Sequence, residues 1–164
     1  MQRYEHLKGS DEVRGALVEL VRVGHRSIVA YRAAERMTTD HRVQTALAQL
    51  RRDHRRHVHE LREILAVVGA KVVAPDGGEA PEVVAEVRGV RDPVAEVGVR
   101  DDVSITEAVE SLMRAEAELR DTYARHVGRS YPEPLRSALT RHMLEEEAHL
   151  RWLQESRWWR MSAS

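Results

Sequence analysis

The sequence predicts an all-α protein, an antiparallel four-helix bundle with one long crossover between helices 2 and 3. Four stretches repeat apolar residues every three or four positions, the spacing of one buried helix face. Short turns separate the first helix from the second and the third from the fourth, so each pair should form an antiparallel hairpin. At 164 residues the chain is expected to form a single domain. The predicted helices cover residues 11–37, 40–68, 104–128 and 133–159.

The first hairpin is bounded by residues that cap helices. Ser10 or Asp11 suits the N-cap of the first helix. Residues 38–40, Thr-Thr-Asp, form a turn that also caps the second helix, and Gly69 suits the position just after that helix ends.

The second hairpin follows a predicted crossover over residues 70–103, where proline and glycine interrupt the helical periodicity. A connection of this length can return the chain to the other end of a bundle, about 30 Å away for a 20-residue helix. Ser104 and Glu107 then form a capping box that starts the third helix, and Gly128 ends it.

Composition excludes several classes of function. The chain has no cysteine, which rules out disulfides, thiolate metal sites and iron–sulfur clusters. Its formal net charge of −1 gives no global attraction to nucleic acid or to an anionic membrane. No secretory signal or membrane span is visible, so a cytoplasmic location is expected.

Histidine and glutamate occupy positions on the apolar stripes where leucine would normally pack. His54 and His57 lie between Leu50 and Leu61 on the second helix. On the fourth helix, Glu146-x-x-His149 has the spacing with which helix bundles build dinuclear metal sites.

Counting outward from the turns predicts which residues share a depth. Glu116 should face Glu146, and His25 should face His54, with His57 and His149 one helical turn further along. Carboxylates can bridge cations and imidazoles are neutral nitrogen ligands, whereas burying either group unpaired would be costly. The predicted metal ligands are His25, His54, His57, Glu116, Glu146 and His149.

Three stretches of the sequence are similar to those of a known family of proteins. They are residues 31–35 (YRAAE), 53–61 (DHRRHVHEL) and 144–150 (LEEEAHL). The chain resembles the ferritin-like superfamily, in particular rubrerythrin-like small bacterial four-helix proteins of undefined function. The resemblance implies a dinuclear centre, with two iron ions as the expected cofactor and zinc or manganese as alternatives. It also implies O₂ or H₂O₂ chemistry or iron handling in oxidative stress, and an oxidase, ferroxidase or peroxidase activity. His25 and His54 depart from the family pattern, which has glutamate at both positions.

Several alternatives remain open at the level of sequence. Asp53 is a rival ligand that pairs with His57, and His142 is either a neighbour of the site or a hydrogen-bonded core histidine. Glu35 is expected to pair with an arginine, and the Glu145–Glu147 run is typical of a solvated face.

The functional alternatives to a redox enzyme are a metal-binding protein without turnover and a metal-free structural stress or assembly protein. A homo-oligomer, a dimer, is expected, and Trp152, Trp158 and Trp159 either cap the end of the bundle or form its interface.

Overall fold

The computed structural model describes Tyr4, residues 10–68 and residues 104–156. This part of the chain is all-helical, contains no strand and is consistent with a four-helix bundle. The predicted crossover at 70–103 lies outside the described residues. So do Trp158 and Trp159, two of the three tryptophans predicted to cap the bundle or form an interface. The helices are α1 (Asp11–Met37), α2 (His41–Val68), α3 (Ile105–Val127) and α4 (Glu133–Glu155).

Side-chain caps determine where the first three helices begin. The Ser10 hydroxyl accepts a hydrogen bond from the Val13 amide, and the Asp40 carboxylate accepts from the amides of the second and third residues of α2. Ser104 and Glu107 form the predicted reciprocal capping box. These contacts satisfy amides that have no partner within their own helix.

Helix α4 ends at Glu155, four residues before the predicted end at 159. Ser156 has extended backbone dihedrals, and its amide still bonds to the Trp152 carbonyl. Serine competes for backbone hydrogen bonds and is a weak helix former, which favours an end at this position. Among the described residues, no helix is both long and apolar enough to cross a bilayer.

The apolar stripes form two separate core clusters. The larger cluster contains Leu61, Leu119 and Leu139, and the smaller contains Leu47 and Leu153. The buried histidines of α2 and α4 and the buried glutamates of α3 and α4 occur in sequence between leucines of the two clusters. A polar layer therefore interrupts the core where the sequence places histidine and glutamate on apolar stripes.

Helix α1 packs against α2 and α3, and α3 packs against α4. Along α1 and α2 the facing residues follow each other in opposite order, with Tyr31 against His54 and Glu35 against Arg51. Helices α2 and α4 are joined by side chains, including the Arg56–Glu145 ion pair at 2.5 Å.

Candidate metal centre

Three helices bring four potential metal ligands to one place inside the protein. They are His54 of α2, Glu116 of α3, and Glu146 and His149 of α4. Each offers a ligand atom, and these four atoms all lie within 4.8 Å of one another. The first three residues are fully buried and His149 is 7% exposed.

The two carboxylates and the two imidazoles alternate around this centre. His54 Nε2 lies 3.1 Å from Glu116 Oε1, and His54 Nδ1 lies 3.4 Å from Glu146 Oε1. His149 Nδ1 lies 3.5 Å from Glu146 Oε2 and 3.9 Å from Glu116 Oε2. Donor atoms of both types therefore converge from different helices.

Although these atoms are close, they do not satisfy one another's hydrogen-bonding capacity. Both nitrogens of His54, both oxygens of Glu116, Glu146 Oε2 and His149 Nδ1 have no partner of hydrogen-bond geometry among the described residues. Leaving such buried groups unpaired costs on the order of 1–3 kcal/mol each. A cation at their common centre would satisfy several of them at once, so the residues present fit a metal ion.

The charges of the centre are unequally distributed. Burial opposes the charged form of His54, but the carboxylates of Glu116 and Glu146 outweigh it and raise its pKa to about 9. Burial would raise the pKa of Glu146, yet His54, His149 and His57 hold it well below its usual range. Burial dominates at Glu116, whose pKa is raised. In the absence of metal, Glu146 is thus the more strongly ionised carboxylate.

His57 lies beside the centre and contacts two carboxylates. Its Nδ1 is 2.9 Å from Glu146 Oε1, and its Nε2 is 2.7 Å from Glu145 Oε2. It is not among the four residues with converging ligand atoms. Glu145, predicted to lie on a solvated face, is instead two-thirds buried and bonded to His57.

His142 stacks on His57, with the ring centroids 4.1 Å apart. Its Nε2 lies 3.0 Å from Glu60 Oε2, and its Nδ1 lies 3.3 Å from the Tyr123 hydroxyl. Burial, assisted by the charge of His57, lowers its pKa to about 4 despite the Glu60 carboxylate. His142 is thus a hydrogen-bonded core histidine that also borders the site through His57, so the two sequence interpretations do not exclude each other.

His25 does not join the converging ligand atoms, and it is only half-buried. The α1 residue beside His54 is Tyr31, whose ring centroid is 5.0 Å from that of His54. Helical side chains lean toward the N-terminus of their own helix, so tips on α1 point away from the 38–40 turn and tips on α2 toward it. This lean moves the partner of His54 along α1 toward the turn, by about two positions, which is the direction from His25 to Tyr31.

The remaining acidic candidates lie around the centre rather than in it. Asp53 Oδ2 is 3.8 Å from His149 Nε2, the ring nitrogen that faces away from the two glutamates. Glu35 pairs with Arg51 at 2.6 Å, as the sequence predicted. Tyr31 is fully buried, and the structure places it against His54.

Comparisons with protein-family models, with curated protein sequences and with solved structures found no match to this chain.

Proposed function

We propose that this chain is a ferritin-like metal-binding protein, an antiparallel bundle that holds iron at the buried histidine–glutamate centre. The observation that carries the proposal is the convergence of four buried ligand atoms that lack hydrogen-bond partners among the described residues. Two imidazole nitrogens and two carboxylate oxygens form a donor set that suits iron, with zinc and manganese as alternatives.

We further propose that the bound iron reacts with O₂ or H₂O₂, as an oxidase or peroxidase or in iron handling during oxidative stress. The ligands are at most 7% exposed, so only very small reactants fit such a site. Bound iron would supply redox chemistry and Lewis acidity. Tyr31, next to His54, keeps its phenol proton because burial and the charge of Glu116 raise its pKa well above the usual value.

A second candidate function is a metal-free structural protein with an ion-paired core. It is favoured by one observation: His54, with its raised pKa, lies between two carboxylates and can itself supply a positive charge to them. In that case the imidazolium of His54 would take the electrostatic place of a metal.

Metal binding by matched variants separates these candidates. Chelator-treated protein is titrated with Fe(II) under anaerobic conditions, and with Mn(II) and Zn(II), while binding is measured by competition and the bound metal is analysed. We expect wild-type protein to bind metal and Glu146→Gln to bind it at least about 100-fold more weakly. This loss is larger than the loss usually caused by replacing a residue that hydrogen-bonds to a metal ligand.

Glu147→Gln is the control, because Glu147 is the exposed neighbour of Glu146 on the same helix. For a His54→Gln variant, the corresponding control is His59→Gln, because His59 is largely exposed on the same helix, α2. Failure of wild-type protein to bind any of the three metals would reject the proposal and favour the metal-free core. Metal binding without oxidation of Fe(II) by O₂ or H₂O₂ would reject the redox activity alone.

A further inference from the structure

We infer that the centre holds one metal ion rather than two, and that His57 positions Glu146 without binding the metal itself. This inference rests on the proposed function and specifies the site more closely. It departs from the two iron ions that the family resemblance implies.

The size of the centre matches a single ion. With metal–ligand distances of about 2.0–2.2 Å, two ligand atoms on opposite sides of one ion lie at most about 4.4 Å apart. The four ligand atoms lie within 4.8 Å of one another, which needs little contraction. In two-metal sites the ions are about 3.5–4 Å apart, so ligand atoms on their outer sides would be about 8 Å apart. His54 and His149 are too close for that arrangement, with ring centroids 5.1 Å apart.

The residues that a second ion would need are engaged elsewhere. His25 is not among the converging ligands. Both ring nitrogens of His57 lie within hydrogen-bond distance of carboxylate oxygens. Each ring nitrogen that could bind a metal therefore already contacts a carboxylate, and His57 contributes no atom to the converging group.

The same contacts make His57 a positioning residue. Its Nδ1 lies 2.9 Å from Glu146 Oε1, and its Nε2 lies 2.7 Å from Glu145 Oε2, which also accepts a hydrogen bond from Arg56 at 2.5 Å. His142 stacks on the ring and holds its plane. Glu146 is thereby held by one oxygen, while its Oε2 has no hydrogen-bond partner among the described residues and lies toward His149. Residues that orient metal ligands in this way typically change metal affinity 10–100-fold.

Titration with Co(II), monitored by visible absorption and by direct metal analysis, tests both the single-ion site and the positioning role of His57. We expect one Co(II) per chain in wild-type protein. His57→Gln should still bind one Co(II) with an unchanged pattern of absorption bands, because the ligand set is intact, but about 10–100-fold more weakly. His149→Gln, which removes a ligand, should alter the bands, and His59→Gln should change neither affinity nor spectrum.

Two Co(II) per chain in wild-type protein would overturn the single-ion site. Altered bands in His57→Gln would make His57 a ligand, and unchanged affinity would remove its positioning role. If His57→Gln does not fold, Glu145→Gln is the second variant, because it weakens the outer contact of His57. Glu145→Gln should also lower the affinity for Co(II), by a smaller factor. Unchanged affinity in that variant would also overturn the positioning role of His57. Absence of Co(II) binding by folded wild-type protein would contradict the proposed function instead, so the two failures are distinguishable.

Discussion

At the scale of single residues, the buried imidazoles differ in charge because their neighbours differ. His54 is surrounded by carboxylates and its pKa is about 9, whereas His142 is buried beside His57 and its pKa is about 4. Both rings are almost completely buried, so burial alone does not decide the charge. At His54 two buried carboxylates outweigh burial, whereas at His142 burial, assisted by the charge of His57, outweighs the single Glu60 carboxylate.

The raised pKa of His54 predicts how the stability of metal-free protein depends on pH. Protonated His54 stabilises the fold fully below its unfolded pKa of about 6.5, and this contribution is lost as pH rises through about 9. We expect the free energy of unfolding to fall over this range by a few kcal/mol, about 3 at most. Urea denaturation in the presence of a chelator at pH 6.5, 8 and 9.5 measures it.

His54→Gln should lose this alkaline decrease, while His59→Gln, changed at an exposed site on the same helix, should keep it. A wild-type stability that stays constant between pH 6.5 and 9.5 would show that His54 is not held as an imidazolium between the two glutamates.

At the scale of helices, close contact between α1 and α2 depends on one glycine. A Cβ atom added at Gly24 would lie 2.8 Å from Val58 Cγ2, closer than real contacts allow. Val58 directly follows His57, and its branched side chain has little rotamer freedom in a helix. The absence of a side chain at position 24 therefore lets α1 approach α2 next to the residue that holds Glu146.

Alanine substitutions at two glycines of α1 test this contact. Gly15 is exposed and nothing lies within 4 Å of an added Cβ, so Gly15→Ala should stabilise the protein by up to about 1 kcal/mol through helix propensity. Gly24→Ala gains the same propensity but meets Val58, and should be about 1–3 kcal/mol less stable than Gly15→Ala. Thermal and urea denaturation compare the two.

Adding Val58→Ala should abolish the excess cost of Gly24→Ala, since the clashing methyl group is gone. If Gly24→Ala and Gly15→Ala are equally stable, the close approach of the two helices is wrong.

At the scale of the whole molecule, a metal at the centre would link α2, α3 and α4, while α1 contributes no ligand to the converging group. An opening that separates any of the three helices would also release the metal. The cost of that opening then includes the free energy of metal binding.

Hydrogen exchange of metal-loaded and chelated protein tests this linkage. With free metal at 100 times its dissociation constant, amides near the ligands on all three helices should exchange up to about 100-fold more slowly. The exchange rate of amides near Val13 should not change, because they exchange through local fraying of α1. In the Glu146→Gln variant the difference should vanish, and extra protection limited to one helix would contradict a shared site.

The sequence alone determined the helices and the types of residue in the polar layer. Helix periodicity and capping are local, so the four helices were predictable, and a capping box predicted the start of α3 at Ile105. His54, Glu116, Glu146 and His149 were predictable too, because each interrupts an apolar stripe at a position that must be buried. The other helix ends lie within one residue of the prediction, whereas the end of α4, at Glu155, was predicted four residues too far along.

The tertiary structure decided which of these residues meet. Tyr31 rather than His25 borders His54, and a count from the turn does not include the lean of side chains that favours this pairing. His57 shares a stripe with His54, yet its two nitrogens contact Glu145 and Glu146. The direction of a ring nitrogen depends on the neighbouring helices, and that separates a metal ligand from the residue that holds one.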